Sequence, residues 1–327
     1  MLQLSKAEKA EMTKAAQKAK NMRIAVLVPC KNEEVTIAKV VGDFRKALPT
    51  ATVYVYDNNS TDGTAVAARK AGAVVGYETR PGKGNVVRRM FAEIDADIYL
   101  MVDGDDTYDA ANAPVLVNKL ISDRADMVVG ARIGADTDHQ RRGHATGNRL
   151  FNVLYTTLFG REFSDIFSGY RAFTRRFVKS FPAVSAGFEI ETELSVHASQ
   201  LRLPVAEVPF EYKDRPEGSE SKLSTVRDGL RILKTIIVLL KEYKPFWFFG
   251  AIGLAGILFA FALALPLLFE YSRTGLVTRV PTAILATGIV IVSMLTITAG
   301  VVLDSIRRMR AEIKRMFYNM TRTRAGE

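Results

Sequence analysis

Between residues 23 and 129 the chain alternates short apolar runs with helix-like stretches, and three of the runs stop abruptly at polar clusters. The runs at 24–28, 52–56, 73–76, 98–102 and 127–129 predict strands, and the segments 33–48, 62–71, 85–94 and 113–122 predict the helices between them. Strands that are apolar throughout belong in a parallel sheet covered on both faces. The βαβα rhythm therefore implies an α/β fold built on a mostly parallel sheet. In such sheets ligands collect beyond the carboxyl ends of the strands.

Those ends are chemically rich. The run 98–102 breaks off at Asp103, Asp105 and Asp106. Carboxylates two residues apart suit a hard divalent cation that must also hold substrate phosphates, although an acidic turn capping the next helix would use the same residues. The run 24–28 leads into Pro29-Cys30-Lys31-Asn32-Glu33-Glu34, and 52–56 into Asp57-Asn58-Asn59-Ser60-Thr61-Asp62-Gly63-Thr64. Alone, the second of these would serve as a turn and helix cap; together, three polar strand ends make a site for a polar ligand. Between them, Gly82-Lys83-Gly84 at a helix start lets the backbone approach an anion, and Lys83 adds a point charge. P-loop spacing and a Gly-x-Gly-x-x-Gly after the first strand are both absent, which argues against those nucleotide-binding domains.

Beyond residue 130 the rhythm loosens. A basic segment at 132–149 precedes a helix at 150–159, a strand at 170–173, a helix at 189–201, a strand at 205–210 and a polar loop at 214–221. Leu223, Val226, Leu230, Leu233, Ile237 and Leu240 recur at helical spacing among Arg227, Arg231 and Lys234, as in a helix lying in a membrane interface. Residues 246–269 and 280–303 are two stretches of 24 residues without a charge, longer than the ~20 that cross a bilayer. Their connector, 270–279, is short and holds only two basic residues, whereas both outer flanks are strongly basic. A transmembrane hairpin results, with the N-terminal part in the cytoplasm at the inner membrane, and Tyr243 and Trp247 stand where interfacial anchors belong.

The net charge of +10 invites a nucleic-acid partner. The cations crowd beside the spans, however, where anionic lipid attracts them, so the bilayer is the expected partner and nucleic acid is not. The single cysteine, Cys30, excludes an internal disulfide and fits a reducing compartment; it is expected to be a small strand-end residue, not a nucleophile. The N-terminus lacks the apolar core of a secretory signal. The expected organisation is an arm at 1–22 (solvated, or a contact for the membrane or for a homo-oligomer), an α/β domain at 23–221, a juxtamembrane amphipathic helix at 222–245, the hairpin at 246–303 and a basic cytoplasmic tail at 304–327.

Val28-Pro29-x-x-Asn32-Glu33, Asp57-Asn58-x-Ser60-x-Asp62-Gly63-Thr64, Gly82-Lys83-Gly84 and Asp103-x-Asp105, in that order, resemble the family-2 glycosyltransferases of the GT-A fold. Asp165-x-x-Ser168-Gly169-Tyr170-Arg171, Glu207-Val208-Pro209 and Ser221-Lys222-Leu223 resemble the branch containing dolichol-phosphate mannose synthase and bacterial polyprenyl-phosphate glycosyltransferases. The resemblance spans residues 23–225. It implies an inverting transfer from a UDP- or GDP-sugar to a polyprenyl phosphate, with Mg²⁺ or Mn²⁺. By the same resemblance Pro29, Glu33 and Asp57 hold the base and ribose, Lys83 approaches the donor phosphates, Asp103 meets the ribose or the metal, and Asp105 is the principal metal ligand. Some relatives carry a Gln two residues after this Asp; here it is Thr107.

The chemistry is coherent with that assignment. A leaving diphosphate must be neutralised, which a divalent cation and a lysine supply. A hydroxyl acceptor needs a general base; a phosphate acceptor is already anionic and needs cations. Arg132, Arg141, Arg142, Arg149, Arg171 and Arg215 are the candidate clamp, since arginine forks onto phosphate oxygens; a solvated basic face is the alternative. On the helix at 189–201, Glu189 and Glu193 share a face while Glu191 points elsewhere. Glu191 is a candidate catalytic residue beside Asp105, as a base or orienter, with a structural role equally open. His139 and His144 are expected to be polar loop residues. Rival readings are a glycosyltransferase with a hydroxyl acceptor, a non-catalytic nucleotide-sugar-binding membrane scaffold, and a nucleotidyltransferase. An example of the first, a processive glycan synthase, usually carries more spans and a Gln-x-x-Arg-Trp motif, and the sole tryptophan here is Trp247.

Overall fold

The computed structural model of the chain describes residues 19, 21–133, 163–185, 187, 189–211, 237, 238 and 240–321. The expected helix at 150–159 and loop at 214–221 lie outside these residues, as do most of the arm at 1–22 and of the juxtamembrane helix at 222–245.

The first half follows the apolar runs closely. Strand β1 (Ile24–Cys30) is buried along its whole length, as a central strand covered on both faces must be. Helix α1 (Glu34–Ala47) buries Ile37, Val40, Val41 and Phe44, one apolar stripe at helical spacing. There follow β2 (Thr52–Asp57), α2 (Thr64–Lys70), β3 (Val74–Tyr77), α3 (Lys83–Glu93), β4 (Ile98–Met101), α4 (Ala113–Ser122) and β5 (Met127–Ile133). After residue 163 come β6 (Arg171–Thr174), α5 (Arg175–Ser180), α6 (Ile190–Leu201) and β7 (Val205–Glu211).

The seven strands form one sheet in the order β3-β2-β1-β4-β6-β5-β7. All pairings are parallel except those of β6, which runs antiparallel to both β4 and β5. Alternate strand residues face opposite layers. Val26, Val28, Leu100, Val128 and Ala172 pack with Ile37, Val40, Phe44, Leu116 and Leu120 of α1 and α4. On the other face an aromatic chain runs from Phe91 through Phe173 to Phe177 and Phe181. The register decides where the site lies. Cys30 stands opposite Asp57, and the Val102 amide donates to Leu27 O at 3.0 Å. The polar exits of β1, β2 and β4 therefore emerge side by side.

Contacts divide the chain into two units, Met1–Ser224 with Lys314–Glu327, and Thr225–Ile313. The second contains most of two long helices, α7 (Pro245–Thr274) and α8 (Val280–Met320), both long and apolar enough to cross a membrane. Unlike a soluble core helix, they expose large apolar side chains such as Leu254, Phe261, Ile284 and Leu295. Small residues line their contact: a Cβ on Gly256 would lie 2.2 Å from Ser293 Oγ, the close approach typical of helices packed in lipid. The Thr287 and Thr296 hydroxyls donate to the carbonyls of Ala283 and Val292 within their own helix, so these polar groups need no water.

Helix α8 runs 17 residues past the charge-free stretch that ends at 303 (320 − 303), so part of the expected tail is helical. Its last turns belong to the first unit. Tyr318 OH donates to Asp126 Oδ2 at 2.7 Å, and Thr174 Oγ1 donates to Asp126 Oδ1 at 2.7 Å. The Arg176 guanidinium lies 4.9 Å from the Tyr318 ring centre.

His197 gives this unit a pH signature. Its ring is buried edge-on to Phe177 and Phe181, Nε2 pairs with Ser180 Oγ at 3.1 Å, and Nδ1 has no hydrogen-bond partner. Burial, reinforced by Lys314, holds its pKa down to about 3. The unfolded chain then takes up the proton first, so stability falls as pH drops below the ordinary imidazole range near 6.5, by at most about 1.4 kcal/mol per pH unit. Thermal melts in detergent between pH 7 and pH 5 should show this slope in the wild type and a flatter one in His197→Leu. Equal slopes would mean that other groups dominate acid sensitivity.

Candidate active site

The site is assembled from strand exits and stapled by their own polar residues. Leaving β1, Asn32 takes a left-handed conformation that asparagine tolerates better than most residues. Its Oδ1 accepts the Thr61 amide at 2.8 Å and its amide donates to Ser60 Oγ at 2.9 Å. The Glu33 amide donates to Thr64 Oγ1, and Asp62 accepts the amides of Glu34 and Thr64. Asn58 donates to the carbonyls of Glu78 and Arg80 and accepts the Gly82 amide at 2.7 Å. Asn58, Ser60, Asp62 and Thr64 thus hold the loops together.

Asp57 behaves differently. It is buried, its Oδ2 accepts the Ser60 amide, and its Oδ1 has no hydrogen-bond partner. A buried carboxylate oxygen left unsatisfied in a cleft is expensive unless a ligand supplies the donor. Pro29 is buried opposite Tyr56 in β1, and Glu33 sits at the rim, its Oε2 3.5 Å from Thr36 Oγ1.

Lys83 is the first residue of α3, preceded by Gly82 at φ 122°, a conformation that favours glycine. Its ammonium is almost enclosed and is shared by Asp103 and Glu191, with Glu191 Oε1 at 2.5 Å. Burial alone would push the Lys83 pKa down; the two carboxylates outweigh it and hold the amine well above its ordinary value, hence charged. Burial, with help from Asp103, pushes the Glu191 carboxyl up, against the pull of Lys83.

Asp103 leans on Gly169, where an added Cβ would lie 2.4 Å from Asp103 Oδ2. No larger residue fits there without displacing the carboxylate. Asp105 is buried, and its Oδ1 accepts the Thr107 hydroxyl at 2.6 Å. Thr107 therefore orients Asp105. Thr36, from the buried stripe of α1, donates to Gly104 O at 2.6 Å and pins the turn between the two aspartates. A hydroxyl inside an apolar stripe is the one hint of that role in the sequence; Gly169 stands in the Ser168-Gly169-Tyr170-Arg171 motif, but its packing against Asp103 shows only in the fold. Cys30 packs below Gly104, and burial followed by the surrounding carboxylates pushes its thiol well up, so it is no nucleophile.

Among the described residues no group of three His, Cys, Asp or Glu side chains forms a ready-made metal set. Two carboxylates at a strand end still fit a divalent cation whose remaining ligands are phosphate oxygens and water.

Of the expected arginine clamp, Arg171 does not fit. Arg171 is completely buried. It donates to Ser168 O at 2.8 Å, Ile166 O at 2.6 Å and Ser195 Oγ at 2.8 Å. A guanidinium enclosed and engaged in this way ties β6 to α6 and cannot reach a ligand phosphate. Arg132 is partly exposed but forks onto Asp165 at 2.7 and 2.9 Å. Burial would raise the Asp165 carboxyl, and Arg132 more than reverses that. Arg141, Arg142, Arg149 and Arg215 lie outside the described residues, as do His139 and His144. The three glutamates do separate: Glu193 caps the amides of Val184 and Ser185, while Glu191 turns inward to Lys83.

The model of the family described as glycosyl transferase family 2 matches residues 25–181. Glycosyltransferase AglJ of Haloferax volcanii is 37% identical over 254 residues, covering 76% of this chain and 82% of the relative. A dolichyl-phosphate hexose transferase of the same organism is 29% identical over 221 residues, covering 68% and 95%. Among solved structures, glucosyl-3-phosphoglycerate synthase from Mycobacterium tuberculosis, in complex with Mn²⁺, uridine diphosphate and phosphoglyceric acid, superposes with a TM-score of 0.59 at 23% identity. That match covers 70% of this chain and 81% of the other, and it is a likeness of fold. With its GT-A sheet, its strand-end carboxylates and a relative this similar over most of both lengths, the chain belongs to glycosyl transferase family 2.

Proposed function

We propose that the chain is a membrane-bound, inverting glycosyltransferase that moves a sugar from a UDP- or GDP-sugar to a polyprenyl phosphate, using Mg²⁺ or Mn²⁺. The observation that carries this reading is the joining of two features in one chain: a strand-end site with Lys83, Asp103 and Asp105, and two helices of membrane-crossing length. The relative named for dolichyl phosphate supports the lipid-phosphate acceptor, and the neighbour solved with Mn²⁺ and uridine diphosphate supports the donor and metal.

In this mechanism the unsatisfied Oδ1 of Asp57 accepts a hydrogen bond from the nucleoside, and Lys83 faces the diphosphate. Asp105, oriented by Thr107, and Asp103 would hold the cation. When bound, that cation offsets the charge developing on the leaving diphosphate. An acceptor phosphate oxygen bonds to the anomeric carbon as the bond from that carbon to the diphosphate oxygen breaks. The nucleoside diphosphate departs with the electron pair, and the anomeric configuration inverts. The acceptor oxygen is already anionic, so no side chain has to remove a proton.

The test is a transfer assay with the full chain in detergent or vesicles, a panel of UDP- and GDP-sugars, and a short polyprenyl phosphate beside the matching polyprenol. Release of nucleoside diphosphate with formation of a lipid-phosphate sugar is expected. Equal use of the polyprenol would replace this reading with a hydroxyl acceptor, and no transfer from any donor would favour a scaffold.

Topology follows from the basic flanks. In intact bacterial cells an impermeant thiol reagent should label Thr278→Cys in the connector and leave Phe317→Cys untouched, with the buried Cys30 silent in both. External labelling at 317 would reverse the assigned orientation.

A further inference from the structure

We propose that Glu191 is a positioning residue that holds the Lys83 ammonium between two carboxylates, keeping it from settling wholly on Asp103 and aiming it at the donor diphosphate. This rests on the function proposed above and gives Glu191 a task other than that of a base.

Lys83 has little choice of direction. Its side chain is 11% exposed, with Asp103 at 28% and Glu191 at 5%. One ammonium therefore sits between a carboxylate partly open to solvent and one that is almost wholly buried. Asp103 is also a proposed metal ligand, so a lysine wholly committed to it would neutralise the carboxylate and be turned away from the phosphates. A second anion on the buried side balances that pull.

Glu191 is built to stay where it is. It lies in the first turn of α6, where the helix dipole favours an anion. Its carbonyl accepts the Ser195 hydroxyl at 3.1 Å, and Ser195 in turn is held by the buried Arg171 at 2.8 Å. Arg171 thus has a structural purpose: it fixes the helix that presents Glu191. As a base Glu191 is badly placed, being 4% exposed and already paired with a cation.

The sign of one measurement separates this role from its alternatives. Direct electrostatics makes Glu191 repel an anionic diphosphate, so Glu191→Gln would strengthen nucleotide binding. Positioning through Lys83 predicts the reverse. Calorimetry on the full chain in detergent, with UDP (or GDP, whichever the wild type takes) and Mn²⁺, should show Glu191→Gln binding about tenfold more weakly, the scale of one charge-assisted hydrogen bond. Glu191→Asp keeps the charge but shortens the reach, and should recover only part of the loss. In a Lys83→Met background, adding Glu191→Gln should cause no further loss; Lys83→Gln replaces Lys83→Met if that variant does not fold. Tighter binding in Glu191→Gln, full recovery by Glu191→Asp, or an undiminished loss without Lys83 would each overturn the proposal. If the wild type binds neither nucleotide, the proposed function itself falls, and this role falls with it.

Discussion

Asp105→Ala is expected to abolish sugar transfer while the protein stays folded and membrane-bound. Asp105 is buried at the exit of β4, and its carboxylate is set by the Thr107 hydroxyl at 2.6 Å. A cation held there would neutralise charge that appears only as the diphosphate leaves, worth several kcal/mol in the transition state. At about 1.4 kcal/mol per tenfold, the turnover should fall by three orders of magnitude or so. The fold should survive because the substitution shortens one side chain just beyond β4 and leaves the sheet untouched. Transfer rate and melting temperature, measured side by side, separate the two. If Asp105→Ala, or wild type treated with EDTA, stays within a few-fold of the untreated enzyme, the metal role is wrong.

Lys83→Met should produce the largest loss of stability. The substitution leaves Asp103 and Glu191 facing each other without the ammonium they share, Glu191 almost wholly buried. Removing one partner of a buried ion pair costs about 3–5 kcal/mol, and the partial exposure of Asp103 argues for the lower end. For a domain of this size that corresponds to a melting temperature lower by roughly 6–12 °C. The double variant Lys83→Met/Glu191→Gln should regain much of the loss, because it also removes the stranded charge. A double variant as unstable as the single one would show that packing of the lysine stem, and not its charge, holds the site.

The strand exits were legible because their signal is local. An apolar run that ends at Asp57 or Asp103 announces both a strand and a cleft, and the helix at 113–122 matches α4 residue for residue. The reversal of β6 was not legible. Its four residues, Arg-Ala-Phe-Thr, carry no mark of direction, and only the register against Ile98–Met101 reveals it. Arginines were the weakest part of the site reading for a related reason: sequence displays charge but not whether a side chain turns inward, as Arg171 does, or is already matched, as Arg132 is by Asp165. Face arithmetic on α6 set Glu191 apart from Glu189 and Glu193. Its partner, Lys83, lies on another helix far away in the chain and comes near only through the fold.

Hydropathy likewise marked the membrane-length stretch up to 303 but not the end of α8 at Met320. Apolar content fixes how long a segment is oily, whereas backbone helicity continues through charged residues such as Arg307 and Arg308, which pair with Asp304 one turn back.

The seat of Tyr318 on Asp126 has a practical consequence for anyone wishing to handle the enzyme without detergent. Asp126 is 2% exposed, and one of its oxygens is satisfied by a residue encoded on the far side of the hairpin. A water-soluble version made by stopping translation ahead of the first span would strip that oxygen of its donor and take away the tyrosine that packs on the carboxylate. Excision that rejoins the Lys314–Glu327 segment through a flexible linker keeps the donor. Failing that, Asp126→Asn removes the charge at its source, since the remaining bond from Thr174 can still be accepted by the amide oxygen.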